Sequence, residues 1–328
     1  MNRVVSILGT GGWGTALGML LNDKGINVKM WSLFEAEIET LKTTRTNKLL
    51  SGVKIPDEII FSTDLDFVLK DSDLIILAVP SHVIKSTCEL LKQYENLPMI
   101  LNVAKGFDGE NCELLSSVIS KTLNTDKVVV MSGPTHAEEV ARKIPTAIVA
   151  ASKKLEYAEF VQKLFSCECF RVYTNTDVTG VEICGAVKNV IALCAGISDG
   201  SGFGDNTKAA LMTRGMKEIQ RLGVKMGGKP ETFMGLSGIG DLIVTCTSMH
   251  SRNRRAGILI GQGVSADEAV SQIKMVVEGI KACECTYKLA KKLNVDMPII
   301  NMAYDVLQNK VKPDEAVKKL MLRSIKSE

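Results

Sequence analysis

The chain has 328 residues, enough for about two domains that each bury a core. Forty basic against 37 acidic side chains leave a net charge of +3, too even for a dedicated nucleic-acid binder, and 45% hydrophobic with 23% charged residues is an ordinary globular composition. No apolar run approaches the ~18 residues of a membrane span, and the stretch before the first glycines is too short for a signal sequence, so the expectation is a cytoplasmic protein without membrane insertion.

Val4 to Leu8 predicts a short buried strand, and the chain then enters Gly9-Thr10-Gly11-Gly12-Trp13-Gly14 before an apolar helical run. Strand, Gly-x-Gly-x-x-Gly and helix form the dinucleotide fingerprint: Gly9 for the tight turn, Gly11 for close approach of a pyrophosphate, Gly14 for helix–strand packing, and free N–H groups at the helix start. A second strand is predicted over residues 27–31. At its end, where an acid selects NAD or an arginine NADP, stand Ser32, Leu33, Phe34 and Glu35, which leans towards NAD.

A polar helix to about residue 50 follows. Further strands are predicted over 59–64, 74–79, 99–103, 127–131, 147–150 and 169–173, several of them continuous apolar runs as in sheets buried on both faces. Helical segments between them predict an α/β, doubly wound Rossmann-type sheet over residues 1–179. Lys105 lies just beyond one strand, at the ligand edge of the sheet, with a solvated loop lysine as the plain alternative, and Gly133, Thr135, His136, Ala137 and Glu138 lie beyond another. Thr135 and Glu138 have the spacing of a capping box, which leaves His136 without need of a catalytic role.

From residue 180 the pattern is helical and poor in strands, predicting an all-α domain over 180–328. Residues 180–195 are apolar nearly all round, a buried helix with Lys188 and Asn189 at its middle. A buried lysine needs a carboxylate partner, serves in proton transfer, or snorkels to water. Asp241, after two glycines, is the candidate carboxylate, with a helix cap as the plain alternative. Ser251 then caps a predicted helix start at which Arg252, Asn253, Arg254 and Arg255 suit a phosphate, with a solvated basic turn as the plain alternative. The nine cysteines contain no C-x-x-C and lack histidine or carboxylate partners at ligand spacing, so buried reduced thiols are expected and no metal is.

These blocks, above all Gly-Leu-Ser-Gly-Ile-Gly-Asp-Leu-Ile-Val-Thr-Cys-Thr-Ser with the following His-Ser-Arg-Asn-Arg, resemble bacterial NAD(P)-dependent glycerol-3-phosphate dehydrogenase, from Val4 to Met321. The resemblance implies hydride transfer between sn-glycerol 3-phosphate and NAD or NADP, giving dihydroxyacetone phosphate, in support of phospholipid synthesis. It implies Lys188 as proton acceptor, assisted by Asp241. Lys105, Gly133, Thr135, Lys188, Asp241, Ser251, Arg252 and Asn253 match substrate contacts. Gly12, Trp13, Lys105, Ala137, Arg252, Val276 and Glu278 match cofactor contacts, beside Gly9, Gly11 and Gly14 of the fingerprint. Many members carry His-Arg where this chain has Leu33-Phe34, which strengthens the lean towards NAD. The rival readings are another two-domain hydroxy-acid dehydrogenase and a dinucleotide-sensing protein without turnover. The oligomeric state is left open, a homodimer included.

Overall fold

The computed structural model describes residues 3–325 and 327. The chain folds into two compact units: the chain up to Asp108 with Glu113–Val178, and Gly109–Cys112 with the chain from Thr179 onward.

In the first unit the strands are β1 (Val4–Leu8), β2 (Asn27–Trp31), β3 (Ile60–Ser62), β4 (Leu74–Leu77), β5 (Met99–Asn102), β6 (Val128–Ser132), β7 (Thr146–Ala151) and β8 (Phe170–Asn175). Its helices are α1 (Gly12–Asp23), α2 (Glu35–Thr44), α3 (Leu65–Leu69), α4 (Ile84–Leu91), α5 (Leu115–Leu123), α6 (Ala137–Ala141) and α7 (Leu155–Phe165). All eight strands join one sheet in the order β3-β2-β1-β4-β5-β6-β7-β8. The order reverses between β1 and β4, the switch point beside which doubly wound sheets bind their ligands. In register, Leu8 of β1 lies opposite both Trp31 of β2 and Leu77 of β4, so these strands end level.

Alternate strand residues feed two cores. Val5, Ile7, Leu74 and Ile76 pack with Leu17, Leu21 and Phe165, whereas Leu8, Ile75 and Leu77 pack with Ile84, Ile100 and Ile119. Burial on both faces is why the sequence shows continuous apolar runs rather than alternation. The sheet is not parallel throughout: β7 runs antiparallel to β6, with β8 parallel to β7. The expected long helix ends early, because α2 stops at Thr44, where Arg45 turns left-handed at φ 52°.

The second unit comprises α8 (Val178–Gly200), α9 (Asp205–Lys225), α10 (Asp241–Thr247), α11 (Arg252–Gly261), α12 (Ala266–Ile273), α13 (Glu278–Leu293), α14 (Pro298–Leu307) and α15 (Pro313–Met321). By length and composition α8 could cross a membrane, which corrects the expectation that no such stretch exists; Glu182 and Lys188 interrupt the run in sequence only, and 94% of it is buried inside the protein. Helix α11 crosses α8 with the two backbones touching: a Cβ on Gly196 would run into the carbonyl of Arg254, and one on Gly257 into the carbonyl of Leu193. Glycines at the crossing thereby bring the start of α11 beside the middle of α8.

The cysteines also depart from expectation. Cys112 and Cys285, both in the helical unit, form a disulfide with a Cα separation of 5.2 Å. Cys88, Cys184, Cys246 and Cys283 are buried as free thiols, but Cys167 is exposed. Among the described residues no group of three His, Cys, Asp or Glu is placed to hold a metal ion.

Candidate active site

In the first unit, Gly9 N donates to Trp31 O at 2.9 Å and Ala78 N to Leu8 O at 2.8 Å, so the chain leaves β1 bound to both neighbours. Gly9 has φ +116°, and a Cβ there would meet Ala78 O at 2.6 Å; only glycine fits the turn. A Cβ on Gly14 would collide with the Gly9 carbonyl, whereas around Gly11 there is open space. The N-cap of α1 is Gly11, which makes no side-chain cap bond, and the first turn carries no acid. Its leading N–H groups and dipole thus meet an open, uncharged approach, which fits the pyrophosphate of a dinucleotide. Gly12 lies against Ala137 of α6, a Cβ on the glycine coming within 3.7 Å of the alanine Cβ, so two cofactor candidates distant in sequence share one place.

At the end of β2, Leu33 and Phe34 are each 69% exposed and no arginine follows them. Glu35 opens α2, but it is Glu37, two residues further along the helix, that accepts from Ser32 Oγ at 2.8 Å. In the sequence Glu35 stands out only because it comes first.

Beyond β5, Asn102 Oδ1 accepts from Ala104 N at 3.2 Å and shapes the loop that presents Lys105. Lys105 Nζ donates to Gly133 O at 2.8 Å, and Thr135 Oγ1 donates to the same carbonyl at 3.2 Å. Three substrate candidates therefore converge on one backbone atom after β6. The capping box does not form: the N-cap of α6 is His136, without a side-chain cap bond, because Thr135 has turned back to Gly133.

In the second unit, the Gly-rich segment before α10 makes one wide helical turn over Leu236–Gly240 and delivers Asp241 as the first residue of α10. Asp241 does not cap the helix. Lys188 Nζ, on α8, donates to Asp241 Oδ1 at 2.6 Å and to Thr245 Oγ1 at 2.7 Å, and Thr245 Oγ1 donates to Asp241 O at 2.6 Å. The side chains of Lys188 and Asp241 are 7% and 2% exposed, so the lysine does not snorkel: the pair replaces the water each charge has lost. Sequence reasoning misses Thr245, although it stands four residues after Asp241, one helical turn on the same face.

Ser251 caps α11 as expected, its Oγ accepting from Arg254 N at 3.2 Å. The arginines separate in role. Arg254 is drawn inward onto Asp199, at 2.7 Å and 2.8 Å, and Lys208 meets the same carboxylate at 2.7 Å, whereas Arg252 is exposed at the helix start. Asn253 is buried: its Nδ2 donates to Asn189 Oδ1 at 2.9 Å and its Oδ1 accepts from Gly279 N at 2.9 Å. One carboxamide thus ties α11 to the neighbour of Lys188 on α8 and to the neighbour of Glu278 on α13. Val276 lies in the short connection before α13, and Glu278 is that helix's first residue.

Residues 4–158 match the family model described as the N-terminus of NAD-dependent glycerol-3-phosphate dehydrogenase, and residues 177–318 match the model of its C-terminus. A protein of Clostridium perfringens named glycerol-3-phosphate dehydrogenase [NAD(P)+] is 54% identical over 326 residues, covering 99% of this chain and 98% of the relative. One of the same name from Pelotomaculum thermopropionicum is 51% identical over 98% of this chain and 94% of its own length. The crystal structure of glycerol-3-phosphate dehydrogenase from Coxiella burnetii superposes with a TM-score of 0.93 at 36% identity, covering 98% of this chain and 99% of that one. The chain belongs to the NAD-dependent glycerol-3-phosphate dehydrogenase family.

Proposed function

We propose that the chain is an NAD(P)-dependent glycerol-3-phosphate dehydrogenase that interconverts dihydroxyacetone phosphate and sn-glycerol 3-phosphate. The observation that carries the reading is the buried Lys188–Asp241–Thr245 cluster within the unit that also presents Ser251 and Arg252 at a helix start. A nicotinamide cofactor, when bound, supplies or accepts the hydride. The protein must then handle the proton. In reduction Lys188 Nζ gives a proton to the carbonyl oxygen of the substrate; in oxidation it takes one from the hydroxyl. Asp241 and Thr245 fix the direction of the amine, so little reorganisation accompanies the transfer.

Arg252 and the N–H groups at the start of α11 hold the phosphate, positioning the reacting carbon through the non-reacting end. Lys105 supplies a second positive charge to the substrate, and Gly133 and Thr135 shape the loop beside it. Asn253 acts by fastening α11 in place. Gly9 to Gly14, Trp13 and Ala137 receive the cofactor, with Arg252, Val276 and Glu278 as its contacts on the helical side. The exposed Leu33-Phe34, the missing arginine and the carboxylate of Glu37 favour NAD over the extra phosphate of NADP. The setting that fits is the cytoplasm, with the product feeding phospholipid synthesis and a homodimer as the assembly.

Mixing protein, dihydroxyacetone phosphate and NADH, with NADPH in parallel, tests the reading through nicotinamide absorbance. A decline that depends on the substrate and is faster with NADH is expected. No decline with either cofactor favours a dinucleotide sensor.

A further inference from the structure

The turn joining α7 to β8 carries Cys167, Glu168 and Cys169, which the site above does not use. Cys167 N donates to Phe170 O at 2.9 Å and Phe170 N to Cys167 O at 3.3 Å, closing a tight four-residue turn. Phe170 anchors it in the core, tilted against Phe165 with ring centroids 6.5 Å apart. The turn thereby presents Cys167 exposed and Cys169 half-buried, with their Sγ atoms 3.6 Å apart. That approach is within sulfur hydrogen-bonding distance, about 1.5 Å longer than an S–S bond.

Two ammonium groups stand nearby. Lys24 Nζ donates to Ser166 O at 2.6 Å and interacts electrostatically with Cys167. Lys143, paired with Asp23 at 2.8 Å, interacts with both sulfurs. These cations repel metal ions and attract the carboxylates that small-molecule disulfides carry. The thiols are not equivalent. Burial, and then the hydrogen bond with Cys167, push the Cys169 thiol above its ordinary range, whereas Cys167 is exposed and is the sulfur that an incoming disulfide reaches first. Elsewhere burial pushes Cys88, Cys194 and Cys246 up to about 12 and Cys283 well above its ordinary value, which silences them.

We infer that Cys167 and Cys169 form a redox-active dithiol that exchanges with small-molecule disulfides, Cys167 attacking and Cys169 resolving. In the first step the Cys167 thiolate attacks one sulfur of the disulfide, forming a mixed disulfide and releasing one thiolate. Cys169 then passes its proton to solvent and attacks Cys167 Sγ, forming the Cys167–Cys169 bond and releasing the second thiolate. Two electrons pass from the protein to the small disulfide, which leaves as two thiols. Lys24 follows the C-terminus of α1, and the twelve residues of that helix separate it from the phosphate turn by about 18 Å, so the dithiol is a modification site apart from the cofactor's.

The test treats the full-length protein with oxidised glutathione, blocks remaining thiols by alkylation and maps the peptides by mass spectrometry. The wild type is expected to yield the Cys167–Cys169 disulfide, while Cys88, Cys184 and Cys246 are alkylated only after denaturation. Cys169→Ser should accumulate the glutathione adduct on Cys167, and Cys167→Ser should react more slowly by at least about tenfold. A wild type whose Cys167 remains fully alkylatable overturns the inference, as does a Cys169→Ser protein without an adduct. A Cys167→Ser variant that reacts at the rate of the wild type also overturns it.

Discussion

An ammonium and a carboxylate meeting at 2.6 Å with almost no exposure are a poor way to stabilise a fold, since desolvation offsets most of their attraction. Their retention inside α8 and α10 points to chemistry, and their removal is unequal to their worth. Asp241→Ala leaves the Lys188 ammonium buried without its partner and should lower stability by roughly 3–5 kcal/mol, read from urea unfolding. Arg252 is exposed, so Arg252→Ala should change unfolding little and raise KM for the phosphate substrate far more than it weakens cofactor binding; equal losses in both would count against its role as chiefly a phosphate contact. Glu218 titrates apart from the Lys188–Asp241 pair. Burial raises Glu218 from 4.5 to about 7, against the opposing hydrogen bonds that Ile299 N and Ile300 N donate to its carboxylate. Between those values the folded chain keeps a proton that the unfolded chain has lost. Stability therefore falls as pH rises through that window, by on the order of 3 kcal/mol in all. Glu218→Gln should flatten this slope between about pH 5 and pH 7.

Helices α8 and α11 place the residues of the second unit, and they do so because glycines let their backbones touch. Gly257→Ala sets a methyl group against the Leu193 carbonyl. It should cost roughly 1–3 kcal/mol and raise KM for the phosphate substrate as the start of α11 shifts, with cofactor binding preserved. All eight strands are legible in the sequence, β4 and β6 as apolar runs because both of their faces are buried, and β2, β3 and β8, which carry exposed residues, as short β-rich stretches between helical ones. The reversal at β7 is not, since direction depends on the path the chain takes through α6, and neither apolar content nor length encodes that. Likewise Thr135 and Glu138 have the spacing of a capping box, yet the hydroxyl finds a nearer acceptor in Gly133 O. Lys188 is legible as a charge in an apolar helix and Asp241 as a carboxylate after a glycine bend. Their meeting across 53 residues, and Thr245 as a third member, require the packed helices.

At the scale of the whole molecule, a doubly wound unit with an uncapped phosphate turn precedes a helical unit with a buried lysine–carboxylate pair, and family membership covers both. Many unrelated functions share the first unit's fold, so the chemistry lies with the site residues and not with the sheet. The proton role of Lys188 is the claim on which the proposed reaction depends. It is tested by following NADH absorbance with dihydroxyacetone phosphate for the wild type and Lys188→Ala, with cofactor binding measured on both to confirm a folded variant. The prediction is a kcat lowered about a hundredfold to ten-thousandfold in the variant with cofactor affinity retained. A variant that binds cofactor normally and turns over at near the wild-type rate would contradict it.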